Sequence, residues 1–407
     1  MDNNKAFCIL PWVHVNLNQN SEVYPCCRTK HNYSYGSVQK KGLKEIWNSE
    51  EIKNVRKEML AGKAQSFCEN CYEAEKIGAE SPRQAANDKY RDEFSRIEYT
   101  NTDGELVGKE IIYLDIRFSN ICNFKCRSCG PESSNAWYED HQKLGKSTKD
   151  QKKTLKLTEN KTLMQDIESL LPKIDKIYFA GGEPLLDENH YRLLERLIEL
   201  KRCDVKIECN TNLSTLSYMQ WNILNLWKKF ENVIVSASID AIGPAAELVR
   251  KGADWETIRK NLATLQRSNP EILIQISPTI SIMNCFMLPE LINYFIENGF
   301  IKFAQNVNFN ILANPEFLSV ALLNQIEIDE LSIKYKNFSE SLMGRVSIEV
   351  AKHIEYELAL VISHAKHKDL SQTRSEFRVF TFNLDKIRGE KTIKVIPELF
   401  GLLYGEA

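Results

Sequence analysis

Cys122-Asn-Phe-Lys-Cys126-Arg-Ser-Cys129 is the stretch around which the chain is organised. Its three thiols, spaced C-x3-C-x2-C, directly follow an apolar, strand-like run, Ile111-Ile-Tyr-Leu-Asp-Ile-Arg-Phe118. Thiolates so close in sequence converge on one metal or cluster only from a loop, because a continuous strand would splay them. A closed iron–sulfur or zinc site takes four ligands. Three local ligands therefore imply either a fourth from elsewhere or one metal position left open for chemistry. A zinc knuckle completed by a distant ligand is the structural alternative.

From residue 110 onward, strand-like runs at 111–118, 176–180, 205–211, 233–239, 272–282 and 303–309 alternate with helical periodicity. The helical stretches are 133–144, 162–171, 191–201, 218–230, 255–266 and 288–298, the last ending at Gly299, a fitting residue after a helix. Six such repeats predict a parallel sheet with crossover helices. They are too few for a closed eight-stranded barrel. The expected fold class is α/β, a partial (β/α)6 TIM-like barrel over 110–314, with ligands at the carboxyl edge of the strands. A doubly wound open sheet is the alternative. Residues 315–407 show helical spacing at 326–338 and 350–364 and carry no catalytic motif.

With 407 residues, 43% hydrophobic and 27% charged, the chain suits one large domain plus smaller pieces. A net charge of −2 provides no field for nucleic acid or an anionic membrane. The Lys146–Lys161 run alternates with Thr, Asp and Glu and reads as a solvated face. The N-terminus lacks the apolar core of a signal peptide, and no apolar run approaches the length of a membrane span, so a cytoplasmic location is expected. Eleven cysteines in such a setting argue for metal or redox use rather than disulfides. Cys203, Cys209 and Cys285 stand singly in or beside apolar segments and read as small buried hydrophobes.

Residues 1–77 carry a separate pattern. Val13, Val15 and Leu17 alternate with polar residues, a polar turn follows, and Val23-Tyr-Pro-Cys26-Cys27 reads as the return strand of a hairpin. An amphipathic stretch from Leu43 to Leu60 leads to Cys68-Glu-Asn-Cys71. A unit this small lacks a sufficient core, and a metal held by Cys8, Cys26 or Cys27, Cys68 and Cys71 would supply the missing stability. A four-Cys zinc site satisfies the same spacing. Residues 78–109 read as a linker with some helix.

The C-x3-C-x2-C loop and, after the next strand, Gly181-Gly182-Glu183-Pro184 resemble the signature of radical S-adenosylmethionine (SAM) enzymes. The segments Asn210-Thr-Asn212-Leu213 and Ser236-Ala-Ser238-Ile-Asp240-Ala241 resemble later motifs of that family, with Leu213 and Ala241 in glycine positions and Ser128 where many relatives carry an aromatic residue. The 1–77 pattern resembles the twitch or SPASM module that binds an auxiliary [4Fe–4S] cluster, with Ser21 in a glycine position and the module preceding the core. The resemblance implies that Cys122, Cys126 and Cys129 hold a [4Fe–4S] cluster whose fourth iron binds SAM. It implies that Gly181, Gly182, Glu183 and Pro184 bind the methionine amino group, and that Asn210, Ser238 and Asp240 line the cosubstrate. Arg250 would pair with its carboxylate, with Arg259 as the second candidate.

The implied chemistry is reductive cleavage of SAM to methionine and a 5′-deoxyadenosyl radical, which abstracts hydrogen from substrate. A second [4Fe–4S] cluster at Cys8, Cys26 or Cys27, Cys68 and Cys71 would accept an electron from substrate, anchor it, or be structural. The expected activity is oxidative modification of a peptide or protein side chain, with a sugar- or nucleotide-type metabolite as the alternative substrate. A non-catalytic iron–sulfur or zinc scaffold is the alternative from another class. The expected partners are that substrate and an external one-electron reductant such as flavodoxin or ferredoxin, with neither nucleic acid nor membrane. No acid or base is assigned.

Overall fold

The computed structural model describes residues 5–29, 32–147, 151–157 and 161–405, so part of the Lys146–Lys161 run lies outside the described residues. The chain forms two compact units, neither of which follows the boundaries drawn from sequence. The first comprises Met1–Ile121, Thr154–Cys209 and Ser217–Val233; the second comprises Cys122–Lys153, Asn210–Leu216 and Ile234–Ala407.

In the first unit, strands β1 (His14–Leu17), β2 (Glu22–Tyr24), β3 (Gly36–Ser37), β4 (Tyr113–Ile116), β5 (Lys176–Phe179) and β6 (Lys206–Thr211) lie in the order β3-β2-β1-β4-β5-β6. The expected hairpin is β1–β2, antiparallel, and its turn holds Ser21 at φ 70°. That left-handed backbone is cheap for glycine and strained for serine. Strand β1 also pairs in parallel with β4, which makes the N-terminal module part of the core sheet.

Alternation separates the sheet's two faces. Val15, Leu17, Leu114, Ile116, Ile177, Phe179, Ile207 and Cys209 make one face entirely apolar and buried. Their alternates, including His14, Asn16, Asp115, Lys176 and Glu208, make the other face polar.

The expected helix from Leu43 to Leu60 is two helices, Leu43–Ile46 and Glu50–Leu60. Between them Ser49 Oγ donates to the Tyr35 carbonyl. Buried Arg56 ties the second helix back, donating to the Pro11 and Trp47 carbonyls and to Asn48 Oδ1. The segment read as a linker is packed structure. Helix Pro82–Lys89 opens with a Ser81–Gln84 capping box, and Arg83 donates to the Phe7 carbonyl at 2.7 Å. Arg96 donates to the Glu110 carbonyl at 2.8 Å. The helix expected at 218–230 is confined to Ile223–Trp227, because a tight hairpin occupies 217–222.

In the second unit, β7 (Val233–Ala237) and β8 (Leu273–Ile276) pair in parallel, as do β9 (Thr279–Ile280) and β10 (Asn310–Ile311). The sixth strand expected at 303–309 shrinks to a bridge between Ile276 and Val307. Asn306 is the cause: its Oδ1 accepts the Lys302 and Phe303 N–H groups and closes a turn, while its Nδ2 donates to the Ile274 carbonyl. Helices Trp255–Ser268, Leu288–Glu297, Gln325–Ser341, Ile348–His367 and Arg374–Arg388 complete the unit. The fold class is α/β of the partial-barrel kind, with a Cys-rich module at its N-terminus and a helical C-terminal region. Among the described residues no helix is long and apolar enough to cross a membrane.

Candidate active site

The Cys122–Cys129 loop belongs to the second unit, and its own polar groups shape it. Asn135 Oδ1 accepts the Cys122 N–H at 3.1 Å, Cys129 N–H donates to the Cys126 carbonyl, and Trp137 Nε1 donates to that carbonyl at 2.7 Å. Lys125 and Arg127 N–H groups bond the carbonyls of Lys251 and Val249, so the loop runs alongside 249–251. Phe124 is buried and fills the loop's interior. Cys126 and Cys129 lie against each other; that contact, then burial, pushes the Cys126 thiol up, while the contact holds Cys129 below its ordinary value. Cys122 is near enough to act on Cys129 electrostatically.

Two groups approach the sulfurs. Arg250 Nη1 stands 3.8 Å from Cys126 Sγ, and Asn212 Nδ2 stands 3.9 Å from Cys122 Sγ. Arg250 is engaged by Asp240, at 2.8 Å from Nη2 to Oδ1 and 2.8 Å from Nε to Oδ2. Its fork therefore faces a protein carboxylate, whereas the sequence reading gave it the carboxylate of the cosubstrate. Asp240 caps no helix; its Oδ1 also accepts the Thr279 N–H, and its carbonyl accepts Asn284 Nδ2. Arg259 is exposed and paired with Glu256 on its own helix. Ser238 N–H bonds the Thr211 carbonyl, and Asn210 is half-buried at the end of β6. Leu213, in the glycine position, takes φ 55° with its side chain fully buried.

The loop is also tied to the C-terminal region, which the sequence reading left without a role at the site. Buried Arg127 Nη2 donates to Asp385 Oδ1 at 2.6 Å and Glu390 Oε2 at 2.7 Å. Arg388 Nε donates to Asp140 Oδ2 at 2.7 Å, and Lys125 Nζ to Asp140 Oδ1 at 2.9 Å. Partners some 258 positions apart leave no local sequence signal.

In the first unit, the Gly181–Pro184 turn follows β5. Gly182 N–H donates to Ser119 and Glu183 N–H to Ile121, the residue before Cys122. A Cβ at Gly182 would lie 2.2 Å from the Ile121 carbonyl oxygen, so only glycine fits there. Glu183 is buried, and its Oε1 accepts the Leu185 N–H at 3.0 Å. Pro184 opens the short helix that follows.

The other cysteines are also in the first unit. Cys8 is within electrostatic reach of Cys26, Cys68 and Cys71, and burial chiefly pushes its thiol up. Burial likewise raises Cys26, Cys68 and Cys71. Amide N–H groups point at three of these sulfurs: Leu10 at Cys8, Arg28 and Thr29 at Cys26, and Arg83 at Cys71. Cys27 is turned elsewhere. The residue is exposed; desolvation of the thiol, then Asp115 and the adjacent Cys26, push it up, and Arg117 acts in the opposite sense. The structure thus groups Cys26, not Cys27, with Cys8, Cys68 and Cys71.

Both thiol sets suit iron–sulfur ligation by donor chemistry and by the hydrogen bonds their sulfurs accept. They are neighbours rather than finished cages: among the described residues no group of three or more His, Cys, Asp or Glu side chains has the convergence of a formed metal site.

Residues 116–293 match the family model described as the radical SAM superfamily, and residues 8–72 match an iron–sulfur cluster-binding domain of SPASM type. Among characterised relatives, a GTP 3′,8-cyclase of Aliarcobacter butzleri is 26% identical over 267 residues, 63% of this chain and 74% of that protein. The radical SAM cyclopropyl synthase TigE of Paramaledivibacter caminithermalis is 24% identical over 262 residues, 62% of this chain and 51% of that protein. Among solved structures, anSMEcpe with bound AdoMet aligns at a TM-score of 0.41 and 17% identity, over 57% of this chain and 61% of that one. Streptococcus suis SuiB bound to SAM aligns at 0.38 and 14%, over 73% and 64%. The chain spans about half of the synthase and under two thirds of each of these solved chains. The two family models imply [4Fe–4S] clusters and SAM as cofactors.

Proposed function

Because the chain is a radical SAM enzyme with an N-terminal SPASM-type iron–sulfur module, we propose that it oxidatively modifies a peptide or protein side chain, with the module's cluster assisting. With both clusters and SAM in place, the chemistry supplied is reductive cleavage to methionine and a 5′-deoxyadenosyl radical, hydrogen abstraction from a substrate carbon, and onward transfer of one electron. An external one-electron reductant such as flavodoxin or ferredoxin is part of the proposal.

The chain's residues divide the remaining work. Cys122, Cys126 and Cys129 hold one cluster, leaving a metal position for the cosubstrate. Gly181, Gly182 and Glu183 bind its amino group, with Pro184 setting the turn, and Asn210 and Ser238 line it. Arg250, fixed by Asp240, places positive charge beside Cys126 and so stabilises an anionic sulfur. Cys8, Cys26, Cys68 and Cys71 hold the auxiliary cluster, and Cys27 is not a ligand.

One observation carries the oxidative reading. Cys26 belongs to the thiol group, while its neighbour Cys27 faces Asp115 and Arg117 on the polar side of the sheet. An electron acceptor held at Cys26 therefore borders a polar surface fit to receive substrate. The second reading, a nucleotide-type metabolite, draws on the identity to the GTP 3′,8-cyclase.

The test is anaerobic turnover of reconstituted enzyme with SAM, a reductant and deuterated peptide or nucleotide candidates. Formation of 5′-deoxyadenosine with deuterium drawn from a peptide supports the first reading, and deuterium from a nucleotide supports the second. No 5′-deoxyadenosine from fully reconstituted protein would overturn both.

A further inference from the structure

On the polar face of the first unit's sheet, the register sets residues side by side in layers. The lowest layer, at the amino ends of the strands, is His14, Tyr113, Lys176 and Lys206; the next is Asn16, Asp115, Tyr178 and Glu208. Directly opposed residues on neighbouring strands have β-carbons about 5 Å apart, so Lys176 and Lys206 are in contact range. Helix Pro82–Lys89 brings a third ammonium to the same place. Lys89 Nζ is 5.9 Å and Lys176 Nζ 4.6 Å from the centre of the Tyr113 ring, and Lys89 Nζ is 5.2 Å from that of Tyr90.

Three cations crowd here, and two carboxylates, Glu208 and Asp115, act on Lys176. Glu208 pairs with Lys176. Neither Lys89 nor Lys206 has a carboxylate within ion-pair distance among the described residues. The crowding registers in titration: Lys89 is an exposed residue, and partial desolvation of its ammonium, then Lys176 and Lys206, lowers it, while burial, then Lys176, lowers Lys206. Like charges gathered at a partly shielded spot cost stability unless an anion visits it.

A second, independent feature points the same way. In the adjoining layer Asp115 is wholly buried, with Oδ1 bonded to Arg117 at 2.8 Å and Oδ2 without a hydrogen-bond partner. Asn16 stands directly opposite Asp115 in the register and its side-chain amide acts on that carboxylate, short of full hydrogen-bond geometry. A buried carboxylate oxygen served only by that weak contact has capacity for a further donor.

We propose that Lys89, Lys176 and Lys206 form a subsite for an oxyanion carried by the substrate, a carboxylate or a phosphate, while Asp115 Oδ2 accepts a hydrogen bond from a donor on the same molecule. The subsite lies at the amino edge of β5, the edge opposite the Gly181–Pro184 turn, so it is separate from the turn assigned to the cosubstrate. It deepens the function proposed above and rests on that reading only for what the anion belongs to.

The test uses the reconstituted full chain with saturating SAM, acetylated by a succinimidyl ester at pH 7 and read by peptide mass spectrometry. Inorganic phosphate and acetate are the probes, each against chloride of equal ionic strength. An oxyanion seated among the ammoniums should slow labelling of Lys89 on the order of fivefold, the ratio about 1 kcal/mol corresponds to, and leave exposed Lys336 unchanged. Lys206→Met should abolish the protection, and Lys206→Arg, which keeps the charge, should retain it.

Protection by phosphate alone identifies a phosphate-bearing substrate; protection by acetate as well identifies a carboxylate. Equal labelling of Lys89 in all three salts, or protection that survives Lys206→Met, overturns the proposal. Formation of 5′-deoxyadenosine, followed in the same samples, reports separately on the radical function.

Discussion

The two cysteine sites are built in opposite ways. Cys122, Cys126 and Cys129 come from one loop, and charges drawn from distant sequence hold that loop: Arg127 to Asp385 and Glu390, and Asp140 to Arg388. Cys8, Cys26 and the Cys68/Cys71 pair come from three places in the chain, and backbone N–H groups serve three of the four sulfurs. Four dispersed thiols can close a cage, and the elements that carry them are fixed by doing so. Three local thiols cannot close one, so the loop must be stiffened from outside. An open metal position thus comes with a need for external support.

The sharpest way to break that contrast is by iron content. Cys126→Ala should lose about four irons per chain and all formation of 5′-deoxyadenosine, while Cys68→Ala loses the other four; loss of all iron in either variant would show the sites to be interdependent.

The external support is tested next. Asp385→Ala combined with Glu390→Ala leaves Arg127 buried and unpaired, and should cost about 3–5 kcal/mol in denaturant unfolding. Replacing Arg127 by Met together with both acids should restore much of that loss. The loop cluster's electron paramagnetic resonance should change in the double variant and the module's should not.

A smaller effect comes from two of the four left-handed non-glycine positions among the described residues, Leu213 and Ser21, one near each site. Leu213→Gly relieves its left-handed backbone but empties a fully buried volume, so a net loss of about 2–4 kcal/mol is expected. Ser21→Gly relieves similar strain and gives up one bond from Gln39, two terms of about 1 kcal/mol each that nearly cancel. Thermal unfolding of the two variants should differ accordingly.

Acid provides a further distinction. Burial would raise Asp140, yet bonds from Lys125 and Arg388 hold it below the ordinary carboxylate range. Its folded value lies below its unfolded one, so it contributes stability above about pH 4 that is lost as pH falls through the folded value. Asp140→Asn should flatten the acid limb of a stability–pH curve. Cys27→Ala should give the smallest change, with iron content equal to wild type; a loss of iron would return Cys27 to the ligand set.

Much of this was legible without coordinates. The strand-to-loop junction before Cys122, the glycine turn after the next strand and the C-x2-C pair are short-range patterns, and short-range patterns survive in one dimension. Apolar runs place the strands, yet the strand at 303–309 and the helix at 218–230 read longer than they are, because Asn306 and the 217–222 hairpin spend backbone hydrogen bonds on turns instead. The stretch at 78–109 looked like a linker because it is polar, whereas Arg83 and Arg96 spend their charge on buried backbone carbonyls.

The sequence by itself determined which thiols and glycines stand close in the chain and in what spacing, because local motifs depend only on neighbours in the chain. Only the tertiary structure decided which of Cys26 and Cys27 joins the thiol group, since adjacent residues face opposite ways and composition cannot say which. It also decided that Arg250 is taken by Asp240, and that three lysines from a helix and two strands stand together. Those outcomes depend on pairing register and on charges brought close by folding, and distance along the chain carries no information about either.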